Sequence, residues 1–350
     1  MPNDSETLLG TGVALRGALA GKRVVVTGGA GAIGSNLSAA LCGAGCEVVV
    51  VDDFSSGYRA NLEALAGRIR LVEGDLAEEA TLAEAFAKPV ALIFHLAAFF
   101  ANQNSVDHPH ADLRTNGQAT LSLVQRAAAL GVERFVFASS SCVYGSQGGA
   151  LGEGSPLQPE TPYGITKILG EQYCEFFGCH AGLSWAIVRY FNSYGPGEYP
   201  GRYRNVIPNF FAQAMIGRPL VITGTGEETR DFTFVGDIVR GTLLAGITPG
   251  AAGQILNLGT GRETTIRELA EEINQLCGNL AGVEYRPRRE WDHVNRRRAD
   301  ITRARELLGY APETPLRSGL CRTHHWFCAR HTGRQPATPA LARLVETALG

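Results

Sequence analysis

From Lys22 onward, short runs of β-branched and aliphatic residues alternate with longer Ala- and Leu-rich stretches whose apolar positions recur at helical spacing. Apolar runs too short for a helix and bounded by turn residues read as buried strands. The pattern predicts strands over 23–27, 47–51, 69–73, 91–95, 134–139 and 185–190, with helices near 33–43, 58–66, 78–87, 110–130 and 161–179. Such alternation builds βαβ units, so an α/β fold with a doubly wound parallel sheet is expected. After about residue 192 the pattern loosens into Gly- and Pro-containing loops and short strands, with helices near 205–217, 235–246, 264–276 and 302–308. The expected organisation is an extension over 1–20, the main sheet domain over 21–191, a smaller C-terminal α/β lobe over 192–330 with some segments returning to the main sheet, and a tail over 331–350.

Composition narrows the class. The chain has 350 residues, 45% hydrophobic and 19% charged, which is enough apolar material for a sizeable core and excludes disorder for most of its length. Basic residues number 32 and acidic residues 34, for a net charge of −2. The broad positive field of a dedicated nucleic-acid binder is therefore missing, and partners must be recognised at local sites. No apolar run approaches the roughly 18 residues that cross a bilayer, and residues 1–20 lack the order of regions of an export signal. A soluble cytoplasmic protein with no membrane partner is expected. The eight cysteines are scattered and should be reduced. Cys321, His324, His325 and Cys328 have a metal-like spacing, but the segment reads as a helix with Leu320, Trp326 and Phe327 turned inward, so no metal is expected. Lysine occurs only at 22, 88 and 167, leaving 29 arginines, many of them between Arg286 and Arg298. A solvated face and an anion site are both open readings of that stretch.

The first candidate chemistry lies at 22–34, KRVVVTGGAGAIG. A buried strand runs into glycines at 28, 31 and 34, with Ala32 and Ile33 opening a helix. There, backbone amides and the helix dipole favour a pyrophosphate, and glycine permits its close approach. In a chain with 43 glycines the spacing alone is weak, but its context is specific. A second strand ends at Asp52, 24 residues after Gly28, where a carboxylate meets a ribose diol in a Rossmann unit. An acid there accepts from a 2′-hydroxyl and repels a 2′-phosphate, so NAD is favoured over NADP, with Arg59 nearby as the contrary signal. Asp75 and Leu76 after the third strand, and Ala97 and Ala98 after the fourth, fall at strand ends, where doubly wound sheets bind ligands.

The second lies at Tyr163 and Lys167, one helical turn apart and on one face. With ten tyrosines and three lysines the pairing is expected by chance less than about 0.1 times. An ammonium beside a phenol stabilises the phenolate and makes a general base for an alcohol. FASSSCVYG at 137–145 ends the fifth strand with hydroxyls toward the same crevice.

Together TGGAGAIG, Asp52, HLAA at 95–98, SSSCVYG, YGITK, RYFNSYGPG at 189–197 and RDFTFVGDIV at 230–239 resemble the extended short-chain dehydrogenase/reductase family. Within it the chain is similar to NAD-dependent nucleotide-sugar epimerases and dehydratases over about residues 20–325. The resemblance implies a sugar nucleotide oxidised at C4, with Tyr163 as base, Lys167 tuning it and holding the nicotinamide ribose, and Ser140 binding the reacting oxygen. It also implies that Asn192, Asn205, Arg230 and Arg289 hold the nucleotide diphosphate and a uridine-like base, with Arg288 the alternative to Arg289. Family dehydratases place an acidic pair after the position of Ser140, and decarboxylases a glutamate at the second place; this chain has Ser141 and Cys142. The implied activity is a 4-epimerase passing through a 4-keto sugar, acting on a UDP-sugar that could be a uronic acid. A decarboxylase or dehydratase on the same scaffold is the alternative, and a non-turnover NAD-binding sensor the reading from another class. Phe100 stands where many 4-epimerases carry a lysine, and Arg297 near the place that sets sugar-pocket size. The long helices at 110–130 and 161–179 have the length of a homodimer surface, although packing on the sheet accounts for them equally well.

Overall fold

The computed structural model of the chain describes residues 12–331. Its centre is a seven-stranded parallel sheet of β1 (Arg23–Thr27), β2 (Glu47–Asp52), β3 (Ile69–Glu73), β4 (Leu92–His95), β5 (Arg134–Ser140), β6 (Trp185–Tyr190) and β7 (Gln254–Leu258), in the order β7-β6-β5-β4-β1-β2-β3. The inner strands are near-continuous Val, Ile and Phe because helices cover both faces: every residue of RVVVT in β1 is buried. The edge strand β3 reads IRLVE, half exposed, and its charged residues discourage further pairing. Strand order reverses between β1 and β4, and ligand crevices open at the carboxyl ends of strands at such a point.

Two helices aim the chemistry. α2 (Ala32–Gly43) starts directly from the glycine turn after β1. α6 (Pro162–Ala181) starts at Thr161, whose hydroxyl accepts from the Gly164 amide, carries Pro162 in its first turn, and stops at Gly182 with φ of +68°. Residues beyond 192 form a looser lobe. It includes α7 (Val206–Met215), α8 (Val235–Ile247) and short two-stranded pairings, of which Ala150–Leu151 with Arg298–Ala299 ties the lobe to the loop after β5. β7 also comes from beyond residue 192 and pairs with β6.

Two expected helices differ. Over 58–66 the chain makes two single 3-10 turns, Arg59–Asn61 and Glu63–Leu65, in place of a helix. Asn61 there donates to the carbonyls of Ala30 and Gly197, so a side chain bridging two distant loops decides the local path. Over 110–130 a single α turn, Pro109–Asp112, gives way to a π-helical stretch, Leu113–Gln118, before regular helix resumes at Ala119–Leu130. Asn116, in the widened turn, is buried and bonded to Asp112, Phe99 and Thr166. Residues 12–19 of the extension form a helix that buries Leu15 and Leu19 in the main core, and the expected tail falls almost wholly outside the described residues. The Cys321–Cys328 segment is helical, with Leu320 and Phe327 fully buried.

Candidate active site

One continuous cleft runs along the carboxyl ends of the strands, lined from the glycine turn through Tyr163 and Lys167 to Arg230 and Arg297. At one end the glycine turn is packed to its limit. A Cβ on Gly28 would lie 2.6 Å from the Ala97 nitrogen, and one on Gly34 only 2.1 Å from the Gly28 carbonyl oxygen. Gly31 caps α2 with no side chain to occupy the first-turn amides, which leaves them for an anion. Gly28, Gly31, Ala32, Ile33 and Gly34 all line this end, as do Leu76, Ala97 and Ala98. The Asp52 carboxylate accepts from the amides of Ala30 and Phe54 at 2.8 and 2.9 Å; burial outweighs those bonds and holds it above its ordinary pKa. Arg59 is ion-paired with Glu73 and lies 4.0 Å from the centre of the Phe54 ring, so it is already committed. Asp75 also faces the cleft. Burial opposes its charge, but the Ala77 amide and Arg114 outweigh that and hold it below the usual carboxylate range. The donor set suits a dinucleotide diphosphate with a free 2′-hydroxyl.

At the middle, α6 brings Tyr163 and Lys167 to the end of β5, and both line the cleft with Ser140. The Tyr163 amide donates to Ser105 Oγ at 3.1 Å, and the ring meets Phe100 edge-on at 6.2 Å. Lys167 is buried; its Nζ donates to the Ala138 carbonyl at 2.9 Å and stands 5.5 Å from the Tyr163 ring centre. Burial pulls the ammonium down to about 8, against the carboxylates of Asp112 and Glu171. Burial also pushes the Tyr163 phenol well up, with Cys142 and Asp112 adding to it and a hydrogen bond with Ser140 opposing it. The expected lowering of the phenol by Lys167 is therefore not seen in the protein alone, where desolvation of the phenolate dominates. Ser140 Oγ further accepts from the Cys142 amide at 3.2 Å.

The far end is built from the lobe. Asn192, Asn205 and Arg230 line the cleft, while Arg289 lines the adjoining pocket and lies 5.9 Å from the Trp291 ring centre. Arg288 is occupied internally by Asn295 and the Val294 carbonyl, which favours Arg289 as the one free for a ligand. The Asn192 side-chain oxygen is buried with no partner. Burial pulls Arg230 down to about 10, and repulsion from Arg297 adds to it, against Asp292 3.7 Å away. Sequence reasoning missed Glu198, buried on the cleft wall. Burial pushes its carboxyl up to about 7, despite Arg204 and a hydrogen bond from Asn205 at 2.7 Å. Nothing but its place beside YGPG marked it, since a glutamate in a loop ordinarily faces water. The arginine stretch is divided: Arg296 is an exposed partner of Glu263, whereas Arg297 is buried on the cleft. Among the described residues no helix is long and apolar enough to cross a membrane, and no group of three or more His, Cys, Asp or Glu could hold a metal.

Comparison with known proteins identifies the family. Residues 24–259 match the model of the NAD dependent epimerase/dehydratase family. A UDP-glucose 4-epimerase of Mycolicibacterium smegmatis is 37% identical, with 87% of this chain and 98% of that protein covered. A UDP-N-acetyl-α-D-glucosaminuronate decarboxylase of Bacillus cytotoxicus is 32% identical over the same shares. Among solved structures, the epimerase Mth375 of Methanothermobacter thermautotrophicus is 47% identical with a TM-score of 0.88, covering 91% of this chain and 95% of that one.

Proposed function

The chain belongs to the NAD-dependent epimerase/dehydratase family, and from that premise we propose that it is a nucleotide-sugar 4-epimerase acting on a UDP-sugar. NAD, when bound, supplies the acceptor and donor for the hydride at C4. In this reading Gly28, Gly31, Ala32, Ile33, Gly34, Asp52, Asp75, Leu76, Ala97 and Ala98 hold the cofactor, and Lys167 also reaches its nicotinamide ribose. Tyr163 takes the proton of the C4 hydroxyl while Ser140 holds that oxygen; Asn192, Asn205, Arg230 and Arg289 hold the nucleotide diphosphate and uridine-like base while the 4-keto sugar turns over and the proton is returned. With its pKa raised by burial the Tyr163 phenol of the protein alone stays protonated, so its use as a base depends on the charge that a ligand brings beside it. A bound oxidised nicotinamide would supply positive charge that lowers the cost of the Tyr163 phenolate.

The observation that carries the proposal is the meeting of Tyr163, Lys167 and Ser140 on one cleft with Ser141 and Cys142, not carboxylates, in the two places after Ser140. Water elimination or protonation of a carbanion needs a further acid/base there, and returning a hydride does not. The decarboxylase relative keeps a second reading in play, which the product decides. Purified protein is incubated with a panel of UDP- and dTDP-sugars and the products resolved by mass and NMR. A product of unchanged mass and inverted C4 supports the epimerase; loss of CO2 or water rejects it, and NAD retention with no turnover of any sugar supports the sensor. Tyr163→Phe should lower turnover about 100-fold or more while NAD stays bound.

We also infer a cytoplasmic homodimer engaged in carbohydrate metabolism. Ile165 and Phe176, three turns apart on one face of α6, are each 55% exposed, which suits a helical surface covered by a second copy. Sedimentation of the parent and of Phe176→Glu tests it.

A further inference from the structure

Arg297 is a guanidinium that the fold buries without neutralising. It is 6% exposed and lines the cleft. One terminal nitrogen donates to the Gly145 carbonyl at 3.1 Å, another lies 3.7 Å from Cys142 Sγ, and Nε is buried with no partner. The other cleft arginines have carboxylates at hand: Arg230 faces Asp292, and Arg204 faces Glu198. Among the described residues no carboxylate forms an ion pair with Arg297. The position is also rigid. The Arg298–Ala299 strand that follows pairs with Ala150–Leu151, and the Ala299 amide donates to Asp231 at 3.1 Å.

A buried cation with an open donor is costly unless an anion completes it, and here the anion must come from the ligand. The diphosphate is expected between Asn205, Arg230 and Arg289, and although Arg297 is close enough to repel Arg230, its terminal nitrogens are turned to Gly145 and Cys142. Arg297 instead touches the turn that follows Ser140, and Cys142 on that turn is two residues from the hydroxyl expected at the reacting oxygen. We propose that Arg297 recognises a carboxylate carried on the sugar itself, so that the preferred substrates are acidic nucleotide sugars. The inference rests on the epimerase reading only in using Ser140 and Tyr163 to mark where the sugar lies. Cys142 has a part in it: its sulfur, also approached by Asn102 Nδ2 at 3.4 Å, stands where a carboxylate would satisfy the guanidinium internally. The carboxylate could be the C6 group of a uronic acid or the acid of a lactyl ether on C3, and separate substrates distinguish them.

The test compares the full-length protein on UDP-glucuronate, UDP-N-acetylmuramate and UDP-glucose, by kcat/KM and, in Tyr163→Phe, by binding affinity. The parent should favour one acidic sugar over UDP-glucose by about 50-fold, the discrimination typical of a charge-assisted pair. Arg297→Met should remove most of that preference and Arg297→Lys should keep part of it. Cys142→Glu should remove it too, by placing a carboxylate on the guanidinium. A parent that favours UDP-glucose, or an Arg297→Met variant that loses acidic and neutral sugars equally, overturns the proposal. Binding in Tyr163→Phe separates the two readings. An Arg297-dependent preference for the acid with no epimerised product in the parent sinks the epimerase and leaves this inference standing, while epimerisation with no preference does the reverse.

Discussion

In the proposed reading, the two ends of the cleft hold phosphate-bearing molecules by opposite means. At the glycine turn the contacts come from backbone amides and the absence of side chains, all within residues 28–34, and the walls have no slack: an added Cβ at Gly34 would meet the Gly28 carbonyl at 2.1 Å. At the lobe end the contacts would come from long side chains, Asn192, Asn205, Arg230 and Arg289, drawn from segments nearly a hundred residues apart. A backbone site is rigid and leaves little to vary without breaking the fold, whereas a site of guanidiniums and amides can change its ligand one residue at a time. The cofactor end should thus respond to substitution as a stability problem, and the substrate end as an affinity problem.

That contrast can be broken or sharpened in order of expected effect. Gly34→Ala should cost about 3 kcal/mol in denaturant unfolding and lose NAD, because backbone faces the new methyl and no flexible side chain can yield. Stability close to the parent with NAD retained would show that the turn does have slack. Arg230→Gln should raise KM for a UDP-sugar by an amount corresponding to about 2–3 kcal/mol with NAD retention unchanged, as expected for lost charge-assisted bonds. Equal loss of both ligands would erase the distinction between the ends.

The smallest effect belongs to Glu198 at the seam. Gly197 beside it accepts from Asn61 on the cofactor side, and its own carboxylate accepts from Asn205 on the lobe side. Its folded pKa of about 7 lies above the ordinary value of 4.5, so the native state binds the extra proton between those values. Its contribution is fully favourable below about 4.5 and is lost as pH rises through about 7. Glu198→Gln, which keeps the acceptor for Asn205, should match the parent near pH 4.5 and exceed it above pH 7 by on the order of 2 kcal/mol in urea unfolding. A constant difference across that range would mean that the carboxyl stays charged throughout.

Legibility followed the same division. The strands of the main sheet, the glycine turn with Asp52, and the Tyr163–Lys167 pair were readable because each is local: a run, a spacing, a helical turn. The helix expected over 58–66 failed because Asn61 spends its side chain on Ala30 and Gly197, partners no window of sequence contains. The π turn around Asn116 was invisible for the same reason, since its bonds to Phe99 and Thr166 reach across the fold. Arg296 and Arg297 are neighbours of one type, yet one is 59% exposed by side chain against Glu263 and the other is buried on the cleft.

By itself, then, the order of residues determined the parallel sheet, the glycine turn after its first strand and the family, because hydrophobic period and glycine spacing act over a few residues at a time. Only the tertiary structure decided which arginine is left without a counter-charge, that Glu198 holds its proton near neutrality, and that burial keeps the Tyr163 phenol protonated. Desolvation and charge balance are sums over everything packed around a group, and those neighbours come from every part of the chain.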